Sequence, residues 1–222
     1  STGRDFSALT SVDTDTNGDL LKKDSNGAFF ILTEAGDYLS ISEDWGGTAE
    51  LEYSHSWGNG SSSSVAVAVE DASFKNYEGT TVNGYAIAIK NSGTYQSDTW
   101  ADWTIKYVDS NGVIDYFNQP WMQSIKDKES IFSQDLDGDG AIGLDATKLE
   151  TASDSSGNAT DKSGDLLKKD DKGSLFIVDD NDTADTSDDT VVALTDEWGG
   201  APSFDYSDTW GTFSYTSSAI AV

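Results

Sequence analysis

The chain has 222 residues, of which 40 are acidic and 13 are basic, so its formal net charge at pH 7 is −27. Nucleic acids and anionic lipid surfaces are bound by surplus Lys and Arg, so this charge argues against both as partners. With 7 Trp, 9 Tyr and 9 Phe the chain does not have the composition of a disordered acidic tail, and we expect a folded protein that attracts cations.

The first part of the chain is predicted to form β-strands. Residues 20–32 have the pattern of a hairpin, because two apolar runs flank Asp24-Ser25-Asn26-Gly27 and Asn-Gly supplies the positive φ angles of a tight turn. Further strands are expected at residues 38–41, 65–69 and 85–90, and on both sides of Asn111-Gly112. The regular spacing of turn signals predicts a mainly β fold of repeated small modules, arranged as a sandwich or as sheets.

The segment from residue 120 to residue 133 interrupts this series of strands. Met122, Ile125 and Phe132 fall at helical spacing, and Pro120 suits the first turn of a helix. We therefore predict one helix over residues 120–133, which leads directly into an acidic loop.

The acidic loop at residues 135–143 has the spacing of an EF-hand-like calcium loop. Calcium takes six to eight oxygen ligands, and carboxylates at alternate positions of a tight loop turn toward one centre when a glycine such as Gly140 permits the bend. We predict a Ca²⁺ site with these ligands: Asp135, Asp137, Asp139, the backbone carbonyl of Ala141, and Asp145.

The loop departs from an EF-hand at its twelfth position. Ala146 stands where the bidentate Glu is expected. Asp145 is the nearest substitute, and otherwise a distant carboxylate or water must take this position. The alternative interpretation is an acidic, solvated Asp-Gly turn without an ion.

A second candidate calcium loop lies near the start of the chain. Asp13, Asp15 and Asn17 have the ligand spacing, followed by Gly18 at the bend. The end of this loop overlaps the predicted hairpin, so a turn without an ion is the alternative.

An internal repeat organises the sequence. Gly18-Asp-Leu-Leu-Lys-Lys-Asp24 returns 146 positions later as Gly164-Asp-Leu-Leu-Lys-Lys-Asp170, whereas Trp57-Gly58 returns 153 positions later as Trp210-Gly211. The second copy must therefore contain a seven-residue insertion, which we place in the acidic stretch at residues 179–189.

The repeat predicts three segments. These are a first β half-module at residues 1–69, a middle segment with the helix and the calcium loop at residues 70–145, and a second, incomplete copy of the half-module at residues 146–222. Half-modules leave apolar faces or strand edges that need a neighbour. We expect the Gly/Ser-rich residues 58–64 to form a joint, and the neighbour to be an identical subunit or another module.

The tryptophans recur with the repeat. Trp45, Trp57, Trp198 and Trp210 are each followed by Gly, and we interpret them mainly as core residues of small β-modules. The alternative is sugar stacking, in which Trp45 and Trp198 bind a ligand such as a surface polysaccharide.

The order of these motifs resembles the tryptophan-rich C-terminal domain first described in Synechocystis-type cyanobacterial proteins and found in large secreted bacterial proteins. The matching pieces are residues 20–32, Trp45-Gly46, residues 84–90, residues 103–112 and residues 129–143. The resemblance implies an extracellular, repetitive, calcium-associated module without catalytic residues to transfer. The acidic insertion and the missing second middle segment depart from that family's full repeat.

The sequence offers little for catalysis. It has no cysteine, and its single histidine, His55, is expected on an exposed loop or strand end. Acid pairs such as Glu43-Asp44 and Asp196-Glu197 are interpreted as chance neighbours in a very acidic chain, although glycoside hydrolysis uses two carboxylates. No motif of a nucleophile elbow or phosphate-binding loop occurs, so we do not expect an enzyme.

The leading hypothesis is an extracellular or cell-surface calcium-binding structural or adhesive module that assembles head to tail into arrays or filaments. The alternative is a carbohydrate-binding module of a secreted protein. No apolar run approaches the roughly 18 residues of a membrane span, so no membrane insertion is expected. Because the chain opens at Ser1 without a signal-peptide pattern, we expect it to be a mature or excised fragment.

Overall fold

The computed structural model describes residues 8–122, 124–144, 148–151, 165–170, 174–179, 190–194, 206–210 and 213–217. The chain divides into two compact units, Ser1–Ile142 and Gly143–Val222. Both units consist mainly of antiparallel β-strands, which confirms the predicted mainly β fold class. No helix among the described residues is long and apolar enough to cross a membrane.

Two antiparallel sheets form the first unit. The smaller sheet has the order β1 (Thr10–Thr14), β2 (Leu20–Lys23), β3 (Phe29–Leu32) and β4 (Tyr38–Ser40). The larger sheet has the order β5 (Tyr53–Trp57), β6 (Gly60–Lys75), β7 (Thr81–Tyr95), β8 (Asp98–Asp109) and β9 (Trp121–Met122). In both sheets each strand pairs with the next along the chain. Short turns connect these pairs, except that residues 110–120 lie between β8 and β9.

One kind of turn recurs between these strands and at their ends. In each example the first residue donates its amide to the carbonyl of the fifth, and a glycine in fourth position donates to the carbonyl of the first; the turns are residues 15–19, 24–28, 33–37, 43–47, 76–80 and 109–113. The predicted hairpin at residues 20–32 is confirmed, with Lys23 opposite Phe29. Only Gly27 takes a positive φ, of 83°, so the turn is a three-residue loop with one left-handed residue rather than a two-residue Asn-Gly turn.

The two sheets of the first unit share one core. Leu21, Phe29 and Ile31 from the smaller sheet pack with Ile87 and Val108 from the larger sheet, and all five are almost fully buried. The opposite face of the larger sheet carries a second cluster around Ala86, Ala88, Ile105 and Phe132. The middle of β7 is therefore buried on both faces, and this explains its continuous apolar run.

The predicted helix is much shorter than expected. Trp121–Met122 form β9, a 3₁₀ turn covers Lys126–Lys128, and the α-helix α1 spans only Glu129–Phe132. Pro120 does not start a helix, because its carbonyl accepts the amide of Ile105 beside β8. Met122, Ile125 and Phe132 all belong to the second core cluster, so their spacing reflects a shared buried surface rather than one helix.

The second unit repeats the smaller sheet. Its order is β10 (Glu150–Thr151), β11 (Leu166–Lys169), β12 (Leu175–Asp179) and β13 (Thr190–Ala193), with a separate hairpin of β14 (Tyr206–Trp210) and β15 (Phe213–Ser217). Leu149, Phe176 and Val178 are the buried residues of its core cluster. The turn after β11 matches the turn after β2, because Ser174 donates to Asp170 Oδ1 at 2.8 Å as Ala28 donates to Asp24 Oδ1 at 2.9 Å.

Strand register locates the insertion. Leu32 pairs with Tyr38, and the equivalent pair in the second unit is Val178 with Val191. Val178 lies 146 positions after Leu32, whereas Val191 lies 153 positions after Tyr38. The seven extra residues therefore lie between β12 and β13. This agrees with the predicted position at residues 179–189, of which 180–189 lie outside the described residues.

Residues 58–64, expected to form a joint, lie mostly within a long strand. Gly60–Lys75 form one continuous strand, β6, in which Ser61, Ser62, Ser63 and Ser64 pair with β5 on one side and β7 on the other. The predicted boundary at residue 69 falls inside this strand. Backbone pairing with both neighbouring strands holds these serines in the sheet.

Candidate metal centres

The acidic loop at residues 135–143 is placed by the short helix before it. Phe132, at the end of α1, is fully buried in the second core cluster. Ser133 follows with a left-handed φ of 51°, which ends the helix and turns the chain toward Asp135. The loop therefore begins at a fixed point of the core.

Asp135 organises the loop around its own carboxylate. Its Oδ1 accepts the amides of Gly138 at 2.7 Å and Asp139 at 3.1 Å, and its Oδ2 accepts the amide of Gly140 at 2.9 Å. Gly138 and Gly140 have φ values of 81° and 91°, which other residues rarely adopt. These contacts wrap the backbone around the first predicted ligand.

Glu129 is the group that sequence reasoning missed at this site. It is fully buried in α1, and its Oε1 accepts the amides of Leu136 at 2.8 Å and Asp137 at 2.9 Å. One carboxylate oxygen each from Glu129, Asp135 and Asp137 lie within 4.8 Å of one another, a separation at which three carboxylates can hold a metal ion. The sequence could have indicated Glu129, because it precedes Phe132 by three residues and so shares the buried face of the same helix.

Asp139 lies apart from this group of three. Its Oδ2 is 3.0 Å from Lys126 Nζ, which is also 3.8 Å from Asp137 Oδ2. Ala141 donates its amide to Asp139 Oδ1 at 2.9 Å. Asp145, the predicted substitute for the twelfth ligand, lies outside the described residues.

The second candidate loop brings together a different set of residues from the one predicted. Asp15 joins Asp19 and Asp71 in a second acidic cluster, with one oxygen from each within 4.8 Å of the others. Asp13 lies outside that cluster, because its Oδ2 accepts the amide of Val69 and the side chain of Gln134. Asp71 lies on β6, far along the chain, so local spacing had no access to it.

Neighbouring strands hold the second cluster in place. Asn17 Nδ2 donates to Asp71 Oδ2 at 2.7 Å, and Tyr85 on β7 donates its hydroxyl to Asp19 Oδ2 at 2.6 Å. Burial raises the pKa of Asp15, and the charges of Asp19 and Asp71 act in the same direction. Burial also raises the pKa of Tyr85, together with its hydrogen bond to Asp19.

Trp45 and Trp57 do not fill the core as expected. Of the five tryptophans whose side chains the structure describes, only Trp103 is buried, whereas Trp45 is 75% exposed and Trp57, Trp100 and Trp121 are more than 40% exposed. The indole of Trp45 packs against Gly47, where an added Cβ would lie 1.9 Å from the ring. The glycine after the Trp-Gly pair therefore makes room for an indole on the surface. Trp198 lies outside the described residues.

Trp45 borders a surface groove of about 610 Å³. Tyr116 and Gln119 also line this groove, as does Lys106, whose ammonium lies 3.7 Å from Glu43. His55 is exposed, as predicted, but it lies in the middle of β5 rather than in a loop or at a strand end. It stacks between Tyr53 and Trp57, with ring centroids 6.3 and 5.8 Å away.

Comparison of the chain with protein-family models, with curated proteins and with solved structures found no match.

Proposed function

We propose that this chain is an extracellular calcium-binding structural or adhesive module of a bacterial surface protein. The observation that carries the proposal is the convergence of Asp135 and Asp137 with the buried Glu129. Hard carboxylate oxygens are the ligands that calcium prefers in proteins. The extracellular setting and the bacterial origin follow from the resemblance described above, together with the calcium concentration that such a site requires.

Calcium suits this site better than magnesium. Magnesium prefers a small octahedron and keeps several of its waters, whereas calcium accepts irregular sets of protein oxygens at about 2.3–2.6 Å. The three carboxylates come from a helix and a loop with backbone hydrogen bonds already in place, so little rearrangement is needed. Water fills the remaining positions.

The bound ion would stabilise the packing of α1 against its own loop. Extracellular calcium modules bind with dissociation constants of about 10⁻⁴–10⁻³ M. At a calcium concentration roughly ten times higher, one site contributes about 1.4 kcal/mol to the free energy of unfolding. Such a site is occupied outside cells and empty in a calcium-poor cytosol.

Isothermal titration calorimetry tests the calcium proposal. We expect the wild-type chain to bind Ca²⁺ and the double variant Asp135→Ala/Asp137→Ala to lose the heat that belongs to this loop. Asp44→Ala/Asp98→Ala removes the same charge from exposed positions outside both clusters and is the matched control. A wild-type titration without binding heat would end the proposal.

The assembly part of the proposal rests on β15. This strand corresponds to the first residues of β6, since Trp210 pairs with Phe213 as Trp57 pairs with Gly60. In the first unit the other edge of β6 is covered by β7, whereas β15 pairs only with β14 within the described residues. We propose that a strand of an identical subunit or a neighbouring module covers this edge by β-augmentation.

Light scattering during size-exclusion chromatography tests assembly. We expect the mass to rise with protein concentration when calcium is present. A chain that stays monomeric at high concentration with calcium refutes the assembly while leaving the calcium site untouched.

A carbohydrate-binding module is the second candidate, and the exposure of Trp45 favours it. The exposed indole lines a groove together with Tyr116 and polar side chains, and an exposed aromatic ring can stack on a sugar ring. A polysaccharide pull-down distinguishes the candidates. Binding that is lost in Trp45→Ala and kept in Trp121→Ala, which removes another exposed indole, would promote this function. No binding by the wild type would dismiss it.

A further inference from the structure

Asp15 has one more carboxylate oxygen than its turn requires. Its Oδ1 accepts the amides of Asn17 at 2.9 Å and Asp19 at 2.7 Å. Asn76 serves an equivalent turn with a single amide oxygen, which accepts the amides of Glu78 and Thr80. The turn itself therefore does not explain why an acid occupies position 15.

The second oxygen of Asp15 is buried without a partner. The side chain belongs to a residue only 5% exposed, and Oδ2 has no hydrogen-bond donor within reach among the described residues. A buried polar atom without a partner is costly, and most such atoms in folded proteins bind a donor, a water or an ion.

The surroundings of Asp15 are acidic. One carboxylate oxygen from each of Asp15, Asp19 and Asp71 lies within 4.8 Å of the other two, and Glu70, which is also buried, accepts the amide of Thr16 at 3.1 Å. Within the described part of the chain no Lys or Arg forms an ion pair with any of these acids. The cluster therefore lacks the counter-charge that buried carboxylates normally have.

The spacing fits one ion. Two oxygens bound to the same calcium at about 2.3–2.6 Å are at most about 5.2 Å apart, so three oxygens within 4.8 Å can share an ion. Asp19 Oδ1 accepts the amide of Glu34, and Asp19 Oδ2 accepts the hydroxyl of Tyr85. Each oxygen accepts only one of these bonds, so lone pairs remain for the ion. Asp71 is exposed, which leaves a path for the ion from solvent.

We infer that Asp15, Asp19 and Asp71 form a second binding site for a divalent cation of calcium's size, which fastens the β1–β2 turn to β6. It shares no ligand with the loop at residues 135–143 and goes beyond the function proposed for that loop. Because Asp15 and Asp19 lie in the turn between β1 and β2 and Asp71 lies on β6, the ion joins the smaller sheet to the larger one.

Calcium titration of the full chain in the Asp135→Ala/Asp137→Ala background tests the site. We expect one binding event to remain in that background, and its affinity to fall at least tenfold when Asp15→Asn or Asp71→Asn is added. Asp15→Asn keeps the oxygen that the turn uses. Asp109→Asn is the matched control, because Asp109 Oδ1 accepts the amides of Asn111 and Val113 in the same kind of turn and lies in neither acidic cluster.

Each result decides the inference. It is overturned if the folded background variant binds no calcium, or if both added substitutions leave the remaining event unchanged. If Asp15→Asn does not fold by circular dichroism, Asp71→Asn decides alone, since Asp71 is exposed. Should the background variant bind as the wild type does and Asp71→Asn abolish that binding, the loop proposal fails and this second site stands.

Discussion

Lys126 places a fixed positive charge beside the loop at residues 135–143. Its ammonium is 3.0 Å from Asp139 Oδ2 and 3.8 Å from Asp137 Oδ2, and its side chain is mostly buried. A lysine held this close neutralises part of the acidic loop in the absence of metal, and it opposes a cation that approaches the same carboxylates.

Replacing Lys126 should therefore tighten calcium binding. We expect Lys126→Met to bind calcium several-fold more tightly than the wild type in a calorimetric titration, because one repelling charge is removed. Lys128→Met is the control, since Lys128 pairs with Asp127 at 2.8 Å. Equal or weaker binding by Lys126→Met would show that the ion does not bind next to Asp137.

At this scale the sequence predicted the acidic loop better than the complete acidic clusters. Asp135 and Asp137 follow from spacing, because alternate residues of a tight glycine-containing loop face one way. Glu129 and Asp71 do not follow from spacing, since folding brings them in from a helix and from a distant strand. Burial of an acid is a tertiary property, and no local pattern fixes it.

At the scale of elements, close strand packing depends on Gly84. An added Cβ at this position would lie 2.0 Å from the carbonyl oxygen of Val108 and 2.9 Å from the Cα of Asp109, its partner on β8. Backbone atoms of a central strand cannot move aside without breaking the ladder between β7 and β8.

Gly84→Ala should destabilise the first unit. We expect a loss of about 1–3 kcal/mol in the free energy of unfolding, the usual cost of overpacking. Urea unfolding followed by tryptophan fluorescence measures it. Gly58→Ala, with no atom within 4 Å of the new Cβ, should change stability far less, and an equal effect of both substitutions would contradict this account.

Tyr107 on β8 gives the stability a pH dependence. Its ring stacks on Phe74 with centroids 4.8 Å apart, and burial raises its pKa above the ordinary value of 10.0, with Lys128 acting in the opposite direction. Above about pH 10 the unfolded chain loses this proton before the folded chain does. The folded state then binds more protons, so stability must fall as the pH rises.

Tyr107→Phe should flatten that fall. We expect the difference in urea midpoint between pH 8 and pH 10.5 to be smaller for Tyr107→Phe than for the wild type. Tyr95→Phe, which alters an exposed tyrosine on β7, is the control. If the two variants lose stability equally between these pH values, the buried hydroxyl of Tyr107 is not the cause.

The strands were predictable where turn chemistry marks them, and the helix was not. The motif Asp-x-Asn-Gly predicts the turns at residues 24–28 and 109–113. Its Asp side chain accepts backbone amides of the turn, and its Gly takes a left-handed φ. The spacing of Met122 and Phe132 misled, because a strand, a 3₁₀ turn and one helical turn can bury the same residues as one long helix. The prediction that Trp45 is a core residue was wrong, because the second glycine of Trp45-Gly46-Gly47 makes room for an indole on the surface.

At the scale of the whole molecule, the repeat in the sequence is a repeat in the fold. β2 and β11 have the same sequence and the same pattern of burial, and the seven extra residues fall between two strands without changing their pairing. Insertions in a connection cost little entropy compared with changes in a ladder. The acidic clusters, in contrast, both belong to the first unit and use residues of the unique middle segment.

Calorimetric melting of the full chain at increasing calcium concentration tests the central claim most directly. Occupation of one site at ten times its dissociation constant should raise the Tm by roughly 3–6 °C for a chain of this size. We expect that rise between a chelator-treated sample and millimolar calcium, reduced in Asp135→Ala/Asp137→Ala. A Tm that stays the same from chelator to 10 mM calcium would contradict the account.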